Sequence, residues 1–242
     1  MKRRRLFSQF TLGAAGAGLF SACSNSSQKV FTNDDTGGSG PNIEWRMATS
    51  WPENLELRFG AIQEICDRVS ELTQGSFKIT PFPAGGIAPP LEILDTVQSG
   101  SVECGHTFGE FYHAKNPAFA FASSIPFGLN PRQQVAWLYG AGGLELIRKL
   151  YADFGVVTFP AGSTGNQMGG WFRTKIESLS ELQALKIRIV GLGGEVLKRL
   201  NVETQTLPPN EILVALEQGD IDAAEWVCPY EDENLGLNQF AR

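Results

Sequence analysis

Apolar and polar residues alternate over 43–48, IEWRMA, which predicts a first strand. The period then changes. Leu55, Phe59, Ile62, Ile65, Val69 and Leu72 recur at helical spacing, Ser50-Trp51-Pro52-Glu53 offers a cap-like start, and Gly75 closes the helix. Residues 77–82 read as a second strand, and PAGGIAPP over 83–90 as a loop. The cycle repeats: helix 91–97, strand 102–107, and a long helical stretch 131–154 with a kink at Gly140, Gly142 and Gly143. Strands follow at 156–160 and 168–174. Ser178 and Glu181 fit the capping box of a short helix. Strand 186–190, helix 194–200, strand 202–207, helix 210–218 and strand 221–226 complete the pattern. Strand and helix alternate throughout, so the class is α/β with mainly parallel pairing.

The N-terminus follows a different rule. Residues 1–5 are basic, and FTLGAAGAGLFSA over 10–22 is an apolar run too short to span a bilayer comfortably. Residues 1–22 therefore read as a signal peptide. Arg4-Arg5-Leu6-Phe7 resembles the twin-arginine export pattern, and Phe20-Ser21-Ala22-Cys23 resembles a lipobox that would lipidate Cys23. Phe20 stands where leucine is usual, and the alternative is a plain secretory signal with an incidental cysteine. Residues 23–41, rich in Gly, Ser, Asn and Asp, read as a flexible tether, and 42–242 as the folded body.

The net charge is −6. All four charges before residue 23 are positive, so the remainder carries 16 Lys and Arg against 26 Asp and Glu, a net of −10. An acidic body without a basic patch excludes a nucleic-acid partner of the usual kind. Cys66, Cys104 and Cys228 lack CxxC spacing, which argues against zinc; Cys66 lies on an apolar helical face and should be buried. His106 and His113 have no nucleophile motif near them and read as satisfied structural residues. Glu231-Asp232-Glu233 reads as a solvated face or a helix start.

Gly191-Leu192-Gly193-Gly194 follows a strand and opens a helix, the outline of a dinucleotide turn. Val196 occupies the place of the third glycine, and the next strand ends without an acidic residue, so the nucleotide reading is weak. A glycine turn at a helix N-terminus suits any anion, including a carboxylate. Arg188, three residues earlier, offers a planar fork that matches a carboxylate. The alternative is an arginine on the solvent side of its strand, beside Lys186. GSTGNQMGGWFR over 162–173 and Glu225-Trp226 also concentrate ligand-site residue types, although Trp171 and Trp226 could equally be core.

Several separated motifs resemble one family in one order. They are FPAG at 82–85, LDTVQSG at 94–100, GHT at 105–107, PFG at 126–128, QMGGWFR at 167–173, residues 185–197, and residues 215–226 ending in Glu225-Trp226. Together they resemble the solute-binding subunit of TRAP transporters, the DctP family, and its branch that binds 2-oxo acids. The likeness runs from about Trp45 to Asn238. It implies a periplasmic solute-binding protein of type II-like two-lobed fold that closes on its ligand and delivers it to TRAP membrane permease subunits. It implies no catalysis and no organic cofactor.

On that resemblance Arg188 grips a small carboxylate. Gln167, the Glu225 side chain and the Trp226 carbonyl hold a bound cation, sodium or calcium, as hard oxygen donors do. Trp171 and Tyr112 are pocket walls. Arg173 adds a second positive charge or pairs with a surface acid. A homodimer is compatible with the likeness, and membrane contact would come only through a lipid on Cys23. Val190 departs from the family, which has a proline there. The chain also ends at Arg242, whereas the family continues into further strands, a hinge-crossing helix and a tryptophan-rich ligand loop. The expectation is a fold lacking its C-terminal part. The rival function is an exported nucleotide-dependent oxidoreductase using the glycine turn at 191–194.

Overall fold

The computed structural model describes residues 42–123 and 125–240; the expected signal, tether and Cys23 lie outside them. Strand β1 (Ile43–Thr49) is the centre of a parallel three-stranded sheet, flanked by β2 (Phe77–Phe82) and β3 (Cys104–His106). Ile43 pairs with Phe77 and Met47 with Cys104. Only the last residues of β1, Ala48 and Thr49, are buried, because there the chain runs under its neighbours. Helix α1 (Ala61–Leu72) connects β1 to β2 and buries Ile62 and Cys66, while Ile65 and Leu72 of the expected stripe are exposed. A π-helical turn, Glu56–Gly60, precedes it. Helix α2 (Ile93–Gln98) leads into β3.

The expected 131–154 helix is two helices, α3 (Pro131–Gly140) and α4 (Gly143–Ala152). Gly142 separates them at φ +81°, a left-handed conformation that ends a helix without a Cβ penalty. Asn130 and Gln133 form a capping box at the start of α3.

The second sheet has the order β4-β7-β5-β6. Strand β4 (Trp171–Phe172) is antiparallel to its neighbour, and β5 (Lys186–Arg188), β6 (Glu203–Gln205) and β7 (Ala223–Ala224) are parallel. Helices α5 (Leu179–Gln183), α6 (Gly191–Arg199) and α7 (Pro209–Gln218) connect them, and α8 (Pro229–Asn234) follows β7. Ile187, Val202 and Ala223 form the buried centre of this half. A larger core cluster joins both halves: Trp51, Leu55 and Ile62 pack with Ile212, Leu216 and Trp226. Each such side chain, fully buried, contributes roughly 1.5–3 kcal/mol.

Several local expectations change. Residues 156–160 form no strand, since no partner edge lies beside them. The strands at 168–174 and 221–226 shrink to two paired residues each. The hydroxyl of Ser50 does not cap a helix; it is 2.6 Å from the Pro90 carbonyl and 2.8 Å from Thr107. The Ser178 hydroxyl does cap α5 by accepting from Glu181 N, but the Glu181 carboxylate accepts from Glu177 N, one residue ahead of the cap. Among the described residues no helix is long and apolar enough to cross a membrane.

Candidate functional site

Strand β5 carries Arg188 between two partners. Arg188 pairs with Gln205 of β6 on one side and Ala224 of β7 on the other. Alternation alone put Lys186 and Arg188 on one face, yet Lys186 is exposed and Arg188 is 0 % exposed. The solvent-side alternative for Arg188 is therefore excluded. Its Nε donates to the Leu207 carbonyl at 3.0 Å and Nη2 to the same oxygen at 2.9 Å. Nη1 donates to the Glu225 carbonyl at 2.6 Å and lies 3.6 Å from Glu225 Oε2. A guanidinium has five N–H groups. Main-chain carbonyls take three of these; of the two that remain, one belongs to Nη2 and one to Nη1, the nitrogen beside Glu225 Oε2.

Glu225 follows β7 and is largely covered beside Arg188, its side chain 13 % exposed. Burial pushes its carboxyl up to about 8; Arg188 opposes the shift, and Glu110 and Asp232 add to it. The Trp226 carbonyl comes next along the chain. Gln167 reaches it from the 162–173 segment, Nε2 to oxygen at 3.4 Å. Met168 N donates to the Val227 carbonyl at 3.1 Å, which aligns that segment with the chain after β7. Rotating the Gln167 amide would exchange its nitrogen for an oxygen, an assignment that rests on the hydrogen-bond network. A carboxylate, a carbonyl and an amide oxygen are the donor types a hard cation takes. Among the described residues no three His, Cys, Asp or Glu gather as metal ligands, so the set depends on the amide and carbonyl oxygens.

The glycine turn has a packing reason. Helix α6 starts at Gly191, three residues earlier than its apolar pattern predicts. Gly191 stands at φ +60°, and a Cβ there would meet Glu110 Cβ at 2.9 Å. The turn is thus filled by Glu110, which sits in the 3-10 turn Gly109–Tyr112 and is itself buried.

Known proteins resemble this chain over most of its length. Residues 47–242 match the bacterial extracellular solute-binding proteins, family 7, DctP. The chain belongs to the DctP family. A monocarboxylate 2-oxoacid-binding periplasmic protein of Nostoc sp. (strain PCC 7120) is 54% identical over 243 residues, spanning 100% of this chain and 65% of that protein. A TRAP transporter solute-binding protein from Bordetella bronchiseptica RB50 shares 46% identity at a TM-score of 0.82, over 84% of this chain and 60% of its own. Its structure is a mixed-occupancy dimer with calcium and picolinate in the bound active site. A TRAP periplasmic solute-binding protein from Pseudoalteromonas atlantica T6c, holding sodium and pyruvate, shares 37% identity at a TM-score of 0.79, over 83% and 61% of the two chains. The chain thus spans less than two thirds of the length of each of these relatives. DctP proteins are solute receptors, not enzymes, and nothing in these relatives supports the oxidoreductase rival.

Within this DctP chain the other expected residues divide. Trp171, at the start of β4, is half-buried, and its Nε1 donates to Asp232 Oδ2 at 2.7 Å. Tyr112 departs from the pocket-wall expectation. It is buried against Phe119, its hydroxyl donates to Thr107 at 2.9 Å and accepts from Leu94 N at 3.1 Å, and burial raises its pKa. Arg173 also departs. Its Nη2 donates to the Leu216 carbonyl in the last turn of α7, where a cation complements the helix C-terminus.

The acidic run is not a solvated face. Asp232 is 0 % exposed and accepts from Val227 N and Cys228 N at 3.0 Å each, besides Trp171. Its pKa is raised by burial, with those three donors opposing. Glu231 is buried and accepts from Arg58 Nε at 2.5 Å. The helix-start reading of the run holds, since α8 begins at Pro229. Arg58 had no sequence signal beyond a charge set among Leu55, Leu57 and Phe59. Its guanidinium is enclosed by Trp51, Phe108 and Trp226, with Cζ 4.6–5.3 Å from the ring centroids.

His106 is structural, as expected. Its Nδ1 accepts from Trp51 Nε1 at 2.7 Å, and burial, with Arg58 adding to it, lowers its pKa to about 4. His113 Nδ1, by contrast, is buried without a partner. Cys66 is buried as its helical face predicts.

Proposed function

We propose that this protein is the exported substrate-binding subunit of a TRAP transporter and captures a small carboxylate, a 2-oxo acid, for delivery to TRAP membrane permease subunits. One observation carries the reading: Arg188 is wholly buried at the end of β5, beside Glu225, where main-chain carbonyls take three of its five N–H groups. The Nostoc and Pseudoalteromonas relatives support the ligand class through their own 2-oxo acid and pyruvate. In this reading Arg188 holds the carboxylate in a two-pronged bond. Gln167 Oε1, the Glu225 carboxylate and the Trp226 carbonyl hold sodium or calcium. The cation supplies the positive charge that lets Glu225 ionise, and it draws in the ligand oxygens. Trp171 forms one wall. Residues 1–22 direct export to the periplasm, Cys23 carries a lipid, residues 23–41 tether the body, and the protein pairs as a homodimer like its Bordetella relative.

Isothermal titration of the full-length protein with pyruvate and longer 2-oxo acids tests the clamp. Arg188→Lys and Arg188→Ala should weaken binding by about a hundredfold or more, since charge-assisted hydrogen bonds contribute roughly 1.5–3 kcal/mol each. Equal affinity in folded wild type and Arg188→Ala would overturn it. Depletion of sodium and calcium should weaken the same titration; undiminished binding after chelation and sodium removal would remove the cation from the reading.

A further inference from the structure

Two buried donors beside the Arg188 site have no acceptor: Arg58 Nη2 and Trp226 Nε1. They belong to touching groups. Arg58 Cζ lies 5.3 Å from the centroid of the Trp226 ring, and Arg188 Cζ lies 5.2 Å from the same centroid. Arg58 is 8 % exposed and Trp226 2 %. Glu231 takes the Nε of Arg58, and Nη2 is left without a partner. Aromatic rings on several sides stabilise the charge but accept no strong hydrogen bond from Nη2. A buried donor left unmade costs about 1–3 kcal/mol, and more for a charged group. Two such donors on adjoining groups, next to a residue that holds a carboxylate, are an acceptor site awaiting an oxygen.

We propose that Arg58 Nη2 and Trp226 Nε1 form a second binding point in the site, which selects carboxylates bearing an uncharged acceptor oxygen, a hydroxyl or carbonyl, at the end away from the carboxylate. This rests on the function proposed above. The uncharged character follows from the surrounding groups. Arg58 is already balanced by Glu231, and the Glu225 and Asp232 carboxyl groups lie close to Arg188. A second carboxylate would add negative charge to a buried region already rich in it.

The test compares two ligands of one shape, 3-hydroxypyruvate and 2-oxobutanoate, which differ by a hydroxyl in place of a methyl. Titration of the full-length wild type should favour 3-hydroxypyruvate by roughly tenfold or more, the worth of a hydrogen bond to a charged donor. In the paired variant Arg58→Met with Glu231→Gln, which leaves no buried carboxylate unpaired, the ratio should fall toward one. Trp226→Phe keeps the ring and the main-chain carbonyl and removes only the donor, so it should lower the ratio in part. A wild type that binds pyruvate but holds both ligands equally overturns the second binding point and leaves the proposed function standing. A preference that survives in both folded variants overturns it likewise. A wild type that binds neither pyruvate nor either ligand overturns the proposed function, and this inference with it.

Discussion

Asp232 gives the sharpest check on how the second half is held. Its carboxylate accepts from Val227 N, Cys228 N and Trp171 Nε1, and it is wholly buried. These bonds tie the chain after β7 to α8 and to β4, the three pieces that frame Glu225 and Trp226. Asp232→Ala leaves three donors without an acceptor. At about 1–3 kcal/mol each, with partial relaxation, the loss should be roughly 3–6 kcal/mol. That is a large share of the roughly 5–15 kcal/mol that stabilises a typical domain. Asp232→Asn should cost less, about 1–2 kcal/mol. Its oxygen keeps the two main-chain donors, and only the Trp171 indole faces an amide NH2 instead. The substitution also removes a buried charge that burial disfavours. Urea unfolding followed by tryptophan fluorescence measures both. With a slope near 2 kcal/mol/M, the alanine midpoint should fall by about 1.5–3 M and the asparagine midpoint by less than about 1 M. An alanine variant within about 1 kcal/mol of wild type would refute the anchoring role. So would an asparagine variant as unstable as alanine.

Acid should destabilise the protein through His106. Its folded pKa, about 4, lies below the ordinary 6.5, so the unfolded chain binds the extra proton between those values. The stability this residue contributes is whole above pH 6.5 and is lost as pH falls to 4, by up to about 3 kcal/mol. The difference in urea midpoint between wild type and His106→Gln should change over this range; a difference independent of pH would contradict it. In the shared core, Leu216→Ala should cost about 2–5 kcal/mol, because Leu216 is wholly buried. Leu72→Ala, at an exposed position of α1, should stay within about 0.5 kcal/mol, and thermal unfolding of the pair would reveal any reversal.

Much of the element order was legible because it is local. The periodicity of Ile62 and Val69 is written into α1 itself, and alternation at 43–48 is enough to place β1. The DctP motifs placed Arg188, Gln167, Glu225 and Trp226 in one site, and Arg188 and Glu225 do meet, as do Gln167 and Trp226. Where reading along the chain failed, a distant partner decided the matter. A strand needs a neighbour, so 156–160 with none is not one, and β4 and β7 extend only as far as they pair. Tyr112 and Arg173 were turned elsewhere by Leu94 and Leu216, residues 18 and 43 positions away in sequence, with Thr107 completing the Tyr112 pair.

By itself the sequence determined the α/β class, the helix stripes, the anion-matching arginine ahead of a glycine turn, and the family. Each depends on neighbours a few residues apart or on motifs kept in order. Only the tertiary structure decided that β5 lies inside its sheet, which buries Arg188 while Lys186 stays in water. It alone brought Arg58 across to Glu231 and set Asp232 against the Trp171 indole. A charged side chain reads as solvated until the fold supplies a partner of opposite sign or a set of donors. Those partners lie 173 and 61 residues away along the chain, beyond the reach of any local pattern.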